Sequence, residues 1–285
     1  MNNQSTTTIA KQAQAWTPTF FLPQPKTGYQ TSLALSRRIA GFDPISLEEM
    51  ENLALLNRID TKYILPLNQL FPILSDLRQD YRVLDIKGQR VSHYRTLYFD
   101  TPFFDLFHMH VNGRAERYKV RCREYVDTRL SFLEVKHRTR KDRTIKERLS
   151  TRQPLLMMTP NAEIWLSKVY PFDSGALCPT LWNTFSRITL ASKQSFERVT
   201  IDTDLVFYAQ GEVVELNNIA IAEVKMDSHS SASSFVNRMR EHRIQPNGFS
   251  KYVIGVSLLY DQVKTNTIKP KLLHLEKIAG GVYHE

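Results

Sequence analysis

Alternation of cationic and apolar residues along predicted strands constrains this chain more than any other feature. In the segment ERYKVRCREYV, residues 116–126, side chains point alternately to the two faces of a strand. One face therefore carries Arg117, Lys119, Arg121 and Arg123. Like charges directly opposite one another on a sheet face destabilise it by a few tenths to about 1 kcal/mol per pair. We expect an anionic group to offset this repulsion.

The same pattern recurs along the chain, and its alternating segments are 58–65, 93–100, 130–140, 142–150, 196–208 and 219–227. A sheet with one solvated face also alternates. Such a face mixes Thr, Ser, Gln, Lys and Glu, however, whereas these faces are dominated by cations with isolated carboxylates. We therefore predict an α+β fold: a closed antiparallel β-barrel tunnel of about eight strands, with charged faces inside and helices packed outside.

Helices are predicted between and after these strands. Ser46 and Glu49 have the spacing of a capping box, which predicts a helix over 46–57. The other predicted helices are 67–79, 104–110, 161–169, 230–242 and 250–261. The chain is divided into an N-terminal extension (1–44), a tunnel domain (45–262) and a loose basic C-terminal tail (263–285).

Composition indicates an anionic partner without choosing one. The 38 Lys and Arg exceed the 29 Asp and Glu, and the formal charge is +9. The two cysteines, Cys122 and Cys178, form no CxxC pair, no apolar run reaches the roughly 20 residues of a membrane span, and the N-terminus does not resemble a signal peptide. We expect a cytoplasmic protein.

A lumen lined by Arg and Lys suits several linked phosphates, because Arg offers forked donors and Lys a point charge. The minority carboxylates Glu134, Asp202 and Glu223 are hard oxygen ligands suited to Mg²⁺ or Mn²⁺. No GxxxxGK[ST] loop is present, which argues against P-loop chemistry. His108 and His110 are two residues apart and face different sides of a helix, so we expect them to be surface or packing residues.

The segments KVRCRE, FLEVKHR, RVTIDTDL, IAEVK and FSKY resemble, in order, the motif series of the VTC domain family, a branch of the triphosphate tunnel metalloenzymes. The resemblance covers about residues 45–262. Better-known members make polyphosphate from ATP inside the tunnel. The resemblance implies an ATP-dependent, metal-assisted polyphosphate polymerase that transfers the γ-phosphate of ATP to a growing chain.

By this resemblance Glu223 binds the metal, Mn²⁺ or Mg²⁺, and the charged faces add Glu134 and Asp202. The expected catalytic residues are Lys62, Arg121, Arg123, Lys136 and Arg198. The expected substrate-binding residues are Arg95, Lys119, Lys146, Lys225, Ser250 and Lys251. The expected ligands are ATP and polyphosphate or pyrophosphate, and any coupling to a membrane would need a separate polypeptide.

Other readings remain open. A non-catalytic sensor of polyphosphate or nucleotides would use the same tunnel. A triphosphatase is disfavoured because its branch opens with Glu-x-Glu-x-Lys, where this chain has Arg58-Ile59-Asp60-Thr61-Lys62. A nucleic-acid binder is disfavoured because the cations alternate with apolar residues on single strands rather than forming an exposed stripe with interleaved aromatics.

Overall fold

The computed structural model of the chain describes residues 28–52, 58–141, 143–227, 233–279 and 283–284. The strands are β1 (Asp43–Ile45), β2 (Arg58–Pro66), β3 (Tyr81–Leu84), β4 (Ser92–Asp100), β5 (Arg117–Tyr125), β6 (Leu130–Arg138), β7 (Thr144–Thr151), β8 (Cys178–Ser192), β9 (Glu197–Ala209), β10 (Glu212–Leu216), β11 (Ile219–Asp227) and β12 (Tyr283–His284). The helices are α1 (Gly28–Ile39), α2 (Leu47–Asn52), α3 (Leu67–Asp76), α4 (Asp105–Val111), α5 (Pro160–Val169), α6 (Ser234–Glu241), α7 (Lys251–Leu259) and α8 (Lys269–Ala279). Short 3₁₀ turns lie at Leu77–Gln79 and Ser174–Ala176.

Eight strands form one continuous antiparallel path in the order β2-β11-β9-β8-β4-β5-β6-β7. The long strand β9 pairs with β11 through its first half and with β10 through its second half. β3 adds to β8, and β1 pairs with β3 in parallel. The antiparallel α+β class is therefore confirmed.

The predicted hydrogen-bonded closure of the barrel is wrong for the described residues, because the end strands β2 and β7 do not pair with each other. The segment before α7 takes the place of β7 at the open edge of β2. Tyr63 forms an antiparallel bridge with Pro246, and the Asn247 N–H donates to the Lys62 carbonyl at 2.8 Å. This segment therefore hydrogen-bonds to backbone groups of β2 that pairing with β7 would use in a closed barrel.

The outer face of the sheet is apolar and covered by helices. On one half, Val199 and Val224 pack with Leu35 of α1, Ile73 of α3 and Phe235 of α6. On the other half, Val120 of β5 and Leu133 of β6 pack against Leu166 of α5. The alternation of β5 and β6 follows from this burial, because their apolar side chains all point to the helix side.

The inner face is divided. Its second half is apolar, with Leu181 of β8 and Phe207 of β9 in one cluster with Phe107 of α4, Tyr252 of α7 and Leu275 of α8. The prediction that the helices lie only outside the barrel is therefore wrong for α4, α7 and α8. These three helices cover the apolar half and leave the charged half open.

The helix boundaries can be compared with the predictions made from local sequence signals. The capping box is confirmed: the Ser46 N–H donates to Glu49 at 2.9 Å and the Glu49 N–H to Ser46 Oγ at 3.2 Å. Residues 53–57 of that predicted helix lie outside the described residues. The segment expected to be a loose tail contains α8, whose Leu275 and Ala279 are buried.

The central strand β8 was not among the predicted strands. No described helix is long and apolar enough to span a membrane. Both cysteines are free thiols.

Candidate active site: a cationic inner face

Three neighbouring strands bring the predicted cations of the tunnel into direct register. Lys119 of β5 lies opposite Lys136 of β6, which lies opposite Lys146 of β7. Two residues further along β5, Arg121 lies opposite Glu134 of β6. Because paired residues in antiparallel strands point to the same face, all five side chains lie on the inner face.

Glu134 is the counter-ion of this region. Its side chain is 1% exposed, and it accepts from Arg121 Nε at 2.8 Å and Nη2 at 2.7 Å and also contacts Lys146. Burial opposes ionisation, but Arg121, Arg123 and Lys146 outweigh it and lower the pKa of Glu134 to about 2. Glu134 is therefore an ionised anion that holds Arg121 in place.

A second carboxylate, Glu223 of β11, neutralises the lysines on the opposite side of the inner face. It lies 2.7 Å from Lys62 Nζ and 2.5 Å from Lys225 Nζ, and Lys225 Nζ also lies 3.2 Å from Asp60. Burial alone would raise the pKa of Glu223, but Lys225 and Lys62 hold it well below its usual range. The Glu223 side chain is 21% exposed, whereas that of Glu134 is 1% exposed.

The third carboxylate is Asp202 of β9, and its main partner, Arg187 of β8, was missed in the sequence. Arg187 Nε and Nη2 lie 2.5 and 2.8 Å from the two Asp202 oxygens, and Lys251 Nζ contacts the same carboxylate. Burial opposes ionisation here too, yet Arg187 and Lys251 lower the pKa of Asp202 to about 2. The forked contact matches the planar geometry of the guanidinium.

Lys119, Lys136 and Arg123 are inner-face cations that form no ion pair with a carboxylate within the described residues. Lys119 Nζ donates to Ser250 Oγ at 3.1 Å, and Ser250 also caps α7. Arg123 is only 8% exposed, and its Nε has no hydrogen-bond partner. Burial and neighbouring cations lower the pKa of all three groups. Because buried charges normally find partners, the buried Arg123 is a candidate contact for an anionic ligand. The partly buried Lys119 and the exposed Lys136 lie on the same face.

The two ends of the sheet face one cavity. Its volume is about 540 Å³, and it is lined by Asp60 and Lys62 of β2, by Lys119 and Lys136, and by Thr144 of β7. Glu223, Lys62 and Lys225 all shift the pKa of Lys136 across this space. Charged residues of β2, β5 and β6 therefore face one partly open cavity.

Aromatic rings form the boundary between the charged and apolar halves. Tyr94 and Phe185 stack in parallel with centroids 5.0 Å apart. Arg123 and Arg187 lie over both rings at 5.1 to 5.9 Å, and Lys251 Nζ lies 4.3 Å from the Phe185 centroid. Cation–π contacts of this kind help to hold buried cations in place.

Two predicted site residues differ from the rest in position. Arg198 lies in register with Lys225 on the inner face but also donates to the Met50 carbonyl at 2.7 Å. The structure places Arg95 on the opposite face, since the inner positions of β4 are Tyr94, Thr96 and Tyr98. Arg95 forms an ion pair there with Glu124, at 2.5 Å from Nη2. This position does not fit the predicted role of Arg95 as a substrate ligand.

The predicted metal ligands do not meet. Glu134, Asp202 and Glu223 lie in separate ion-pair clusters, and within the described ranges no three His, Cys, Asp or Glu side chains form a metal-binding group. Both oxygens of Glu134 and of Asp202 contact Arg or Lys. Among the predicted ligands, Glu223 is the most exposed, and it shares the ion-pair partner Lys225 with a second carboxylate, that of Asp60.

Two cavity residues, His110 of α4 and Lys271 of α8, were not predicted as site residues from the sequence. They line the cavity together with Arg117 and Arg138. His110 was set aside as a surface or packing residue, and Lys271 was assigned to a loose tail. Their positions depend on how α4 and α8 pack, which strand alternation does not reveal.

Comparison with known protein families gives a match over most of the chain. A family model described as the VTC domain matches residues 57–260. No curated protein sequence matches the chain.

Two solved structures superpose on part of this chain. A putative adenylate cyclase from Bacillus halodurans has a TM-score of 0.46 at 13% identity, over 72% of this chain and 98% of that chain. A putative adenylyl cyclase from Hippeastrum, described as having a dominant triphosphatase activity, has a TM-score of 0.43 at 14% identity, over 70% of this chain and 95% of that chain.

Proposed function

The chain belongs to the VTC domain family, and on this premise we propose that its inner face binds the phosphates of ATP and of a polyphosphate chain and transfers a phosphoryl group between them. One observation carries the proposal. Lys119, Lys136 and Arg123 lack carboxylate partners, while the cations around them are neutralised in three ion-pair clusters. A multiply charged anion in this cavity would supply the missing counter-charge.

The proposed reaction is an in-line displacement. A terminal phosphate oxygen of the growing chain attacks the γ-phosphorus of ATP, a new P–O–P link forms, and the bond to ADP breaks. Arg121, Arg123 and Lys136 would bind the oxygens of the transferring group, and Lys62, Lys119 and Lys251 would orient the flanking phosphates. The attacking phosphate is already anionic, so the step needs no general base.

A divalent cation fits one part of this face. Mg²⁺ is commonly held by one or two carboxylates together with substrate phosphates, and Glu223 with Asp60 offers such a set. When bound, Mn²⁺ or Mg²⁺ would neutralise phosphate charge and help to align the displacement. Glu134 and Asp202 do not fit this role, because both are nearly fully buried and each is held by Nε and Nη2 of an Arg guanidinium. We assign them to positioning Arg121, Arg187 and Lys251.

A second candidate, a polyphosphate sensor without catalysis, is favoured by the Glu223 cluster. Both Glu223 oxygens contact lysines, so a metal must displace Lys62 or Lys225. A protein that only binds polyphosphate needs no such exchange. For either candidate we expect the cytoplasm as the site of action, with ATP or polyphosphate rather than nucleic acid as the ligand.

Incubation with ATP and Mn²⁺ or Mg²⁺ tests the proposal. A polymerase gives a ladder of polyphosphate chains on a gel, a triphosphatase gives free phosphate alone, and a sensor binds polyphosphate without turnover. We expect ladders, and we expect Lys136→Ala to slow their formation about 100-fold or more, as loss of one charge-stabilising donor does.

Arg95→Ala is the matched control, because it removes a cation of the adjacent sheet region from the opposite face. We expect it to leave the rate within about twofold. Free phosphate without ladders, or ladders unaffected by Lys136→Ala, would contradict the polymerase.

A further inference from the structure

The cavity is lined by one end of the charged strand β5, at Arg117 and Lys119. The inner-face cations of this strand continue to Arg121 and Arg123, and the row from Arg117 to Arg123 is about 20 Å long at the rise of an extended strand. This is longer than three linked phosphate groups. At the Arg117 end the lining changes: His110 of α4 and Lys271 of α8 join Arg138.

Lys271 is held in position by its helix. Leu275 and Ala279 of α8 are buried in the cluster that includes Tyr252 and Val256 of α7. Lys271 Nζ lies beside Gly248 in the loop before α7, 3.4 Å from where the Cβ atom of any larger residue at that position would be. Among the described residues, no carboxylate forms an ion pair with Lys271. A cation anchored inside the cavity without a counter-ion is suited to bind an anion.

His110 complements Lys271 without adding to the repulsion. Burial and then the cations Lys119, Arg117, Lys136 and Arg138 lower the pKa of His110 to about 2. The imidazole is therefore neutral at physiological pH and has one N–H to donate. A neutral donor among cations favours an extended oxyanion over a second cation or an apolar group.

We propose that Lys271, with His110 and Arg138, forms a distal anion subsite that binds the phosphates of a polyphosphate beyond those held at Arg121 and Arg123. This inference rests on the proposed function and adds a preference for long chains over triphosphate. α8 lies outside the matched residues 57–260, so the subsite is built partly by a segment beyond the matched family domain.

Calorimetric titration of the full chain with tripolyphosphate and with long-chain polyphosphate tests the subsite. We expect Lys271→Ala to lower the affinity for long-chain polyphosphate about tenfold, which corresponds to the loss of one charge-assisted contact. The affinity for tripolyphosphate should fall less than twofold. Lys271→Arg should restore long-chain binding, because it keeps a cationic donor. A purely structural role for Lys271 would affect both ligands alike.

Lys277→Ala is the control for net charge, since Lys277 is an exposed lysine of the same helix. We expect it to change neither titration. Equal losses for both ligands with Lys271→Ala, or no loss for either, overturn the distal subsite. If the wild-type protein binds neither polyphosphate, the proposed function itself fails. Should Lys271→Ala not fold, Lys271→Gln provides the same comparison with a smaller change in volume.

Discussion

Glu134 and Glu223 are the same residue type on the same face of the same sheet, yet their surroundings differ. Glu134 is 1% exposed and bound by the guanidinium of Arg121, whereas Glu223 is 21% exposed and bound by two lysines. Arg binds a carboxylate through a rigid fork, and Lys through a single mobile ammonium. The comparison indicates that Glu134 is a fixed part of the scaffold, while Glu223 can exchange its partners for a ligand.

The largest expected effect is on stability. Glu134→Gln removes the counter-charge of Arg121 and leaves this cation buried beside Arg123. Breaking a buried ion pair from one side costs about 3–5 kcal/mol, and we expect the free energy of unfolding in urea to fall by that amount. Glu223→Gln should cost about 1 kcal/mol or less, because its partners can turn toward water. Similar losses in the two variants would contradict the distinction.

Activity should show the reverse order. We expect Glu223→Gln to lower the rate of polyphosphate synthesis about 100-fold or more at saturating metal, with the fold intact by circular dichroism. A higher metal concentration should not restore the rate, since the ligand oxygen is gone. If Glu223→Gln synthesises chains at the wild-type rate, the metal role assigned to Glu223 is wrong.

The smallest effect is on pH dependence. Burial and the Arg121 charge lower the pKa of Lys136 to about 8, and burial together with Arg187 lowers that of Lys251 to about 8 despite Asp202. Both lysines are charged below pH 8 and become neutral above it, so polyphosphate affinity should fall above pH 8, by up to about tenfold per pH unit for each lysine.

Calorimetry in buffers of different ionisation enthalpy should detect proton uptake on binding at pH 8.5. Lys136→Arg should reduce the number of protons taken up, because Arg stays charged over this pH range. The same pKa shifts predict a free energy of unfolding that rises between pH 8 and the unfolded lysine pKa, because the unfolded chain binds more protons there. An affinity independent of pH between 7 and 9.5 would contradict this assignment.

Strand alternation was sufficient where the two faces differ clearly in polarity. In β5 the alternate residues Tyr118, Val120 and Cys122 are buried in the cluster that contains Leu166 of α5. The inner positions of Lys119, Arg121 and Arg123 could therefore be read directly from the sequence. The same rule could have excluded Arg95. It shares its face with Leu97 and Phe99, which are buried in the outer core.

Other features depend on tertiary contacts that no local pattern encodes. In β8 the inner face carries Leu181 and Phe185 and the outer face Ile188 and Leu190, so both faces are apolar and the strand with Arg187 does not alternate. In β9 Asp204 has a positive φ of 53°, and the strand bulges there. Alternation therefore ends at Asp202, and Asp204 accepts a hydrogen bond from Ser32 of α1 instead.

The open edge of β7 has a consequence for the solubility of the protein. Within the described residues β7 pairs on one side only, with β6. The other edge of such a strand presents N–H and C=O groups on which another copy of the chain can extend the sheet. Along β7 the consecutive residues Lys146, Glu147 and Arg148 are all exposed, so charge projects from both sides of the ribbon. An incoming strand would have to desolvate these groups, and β7 therefore carries its own protection against edge-to-edge aggregation.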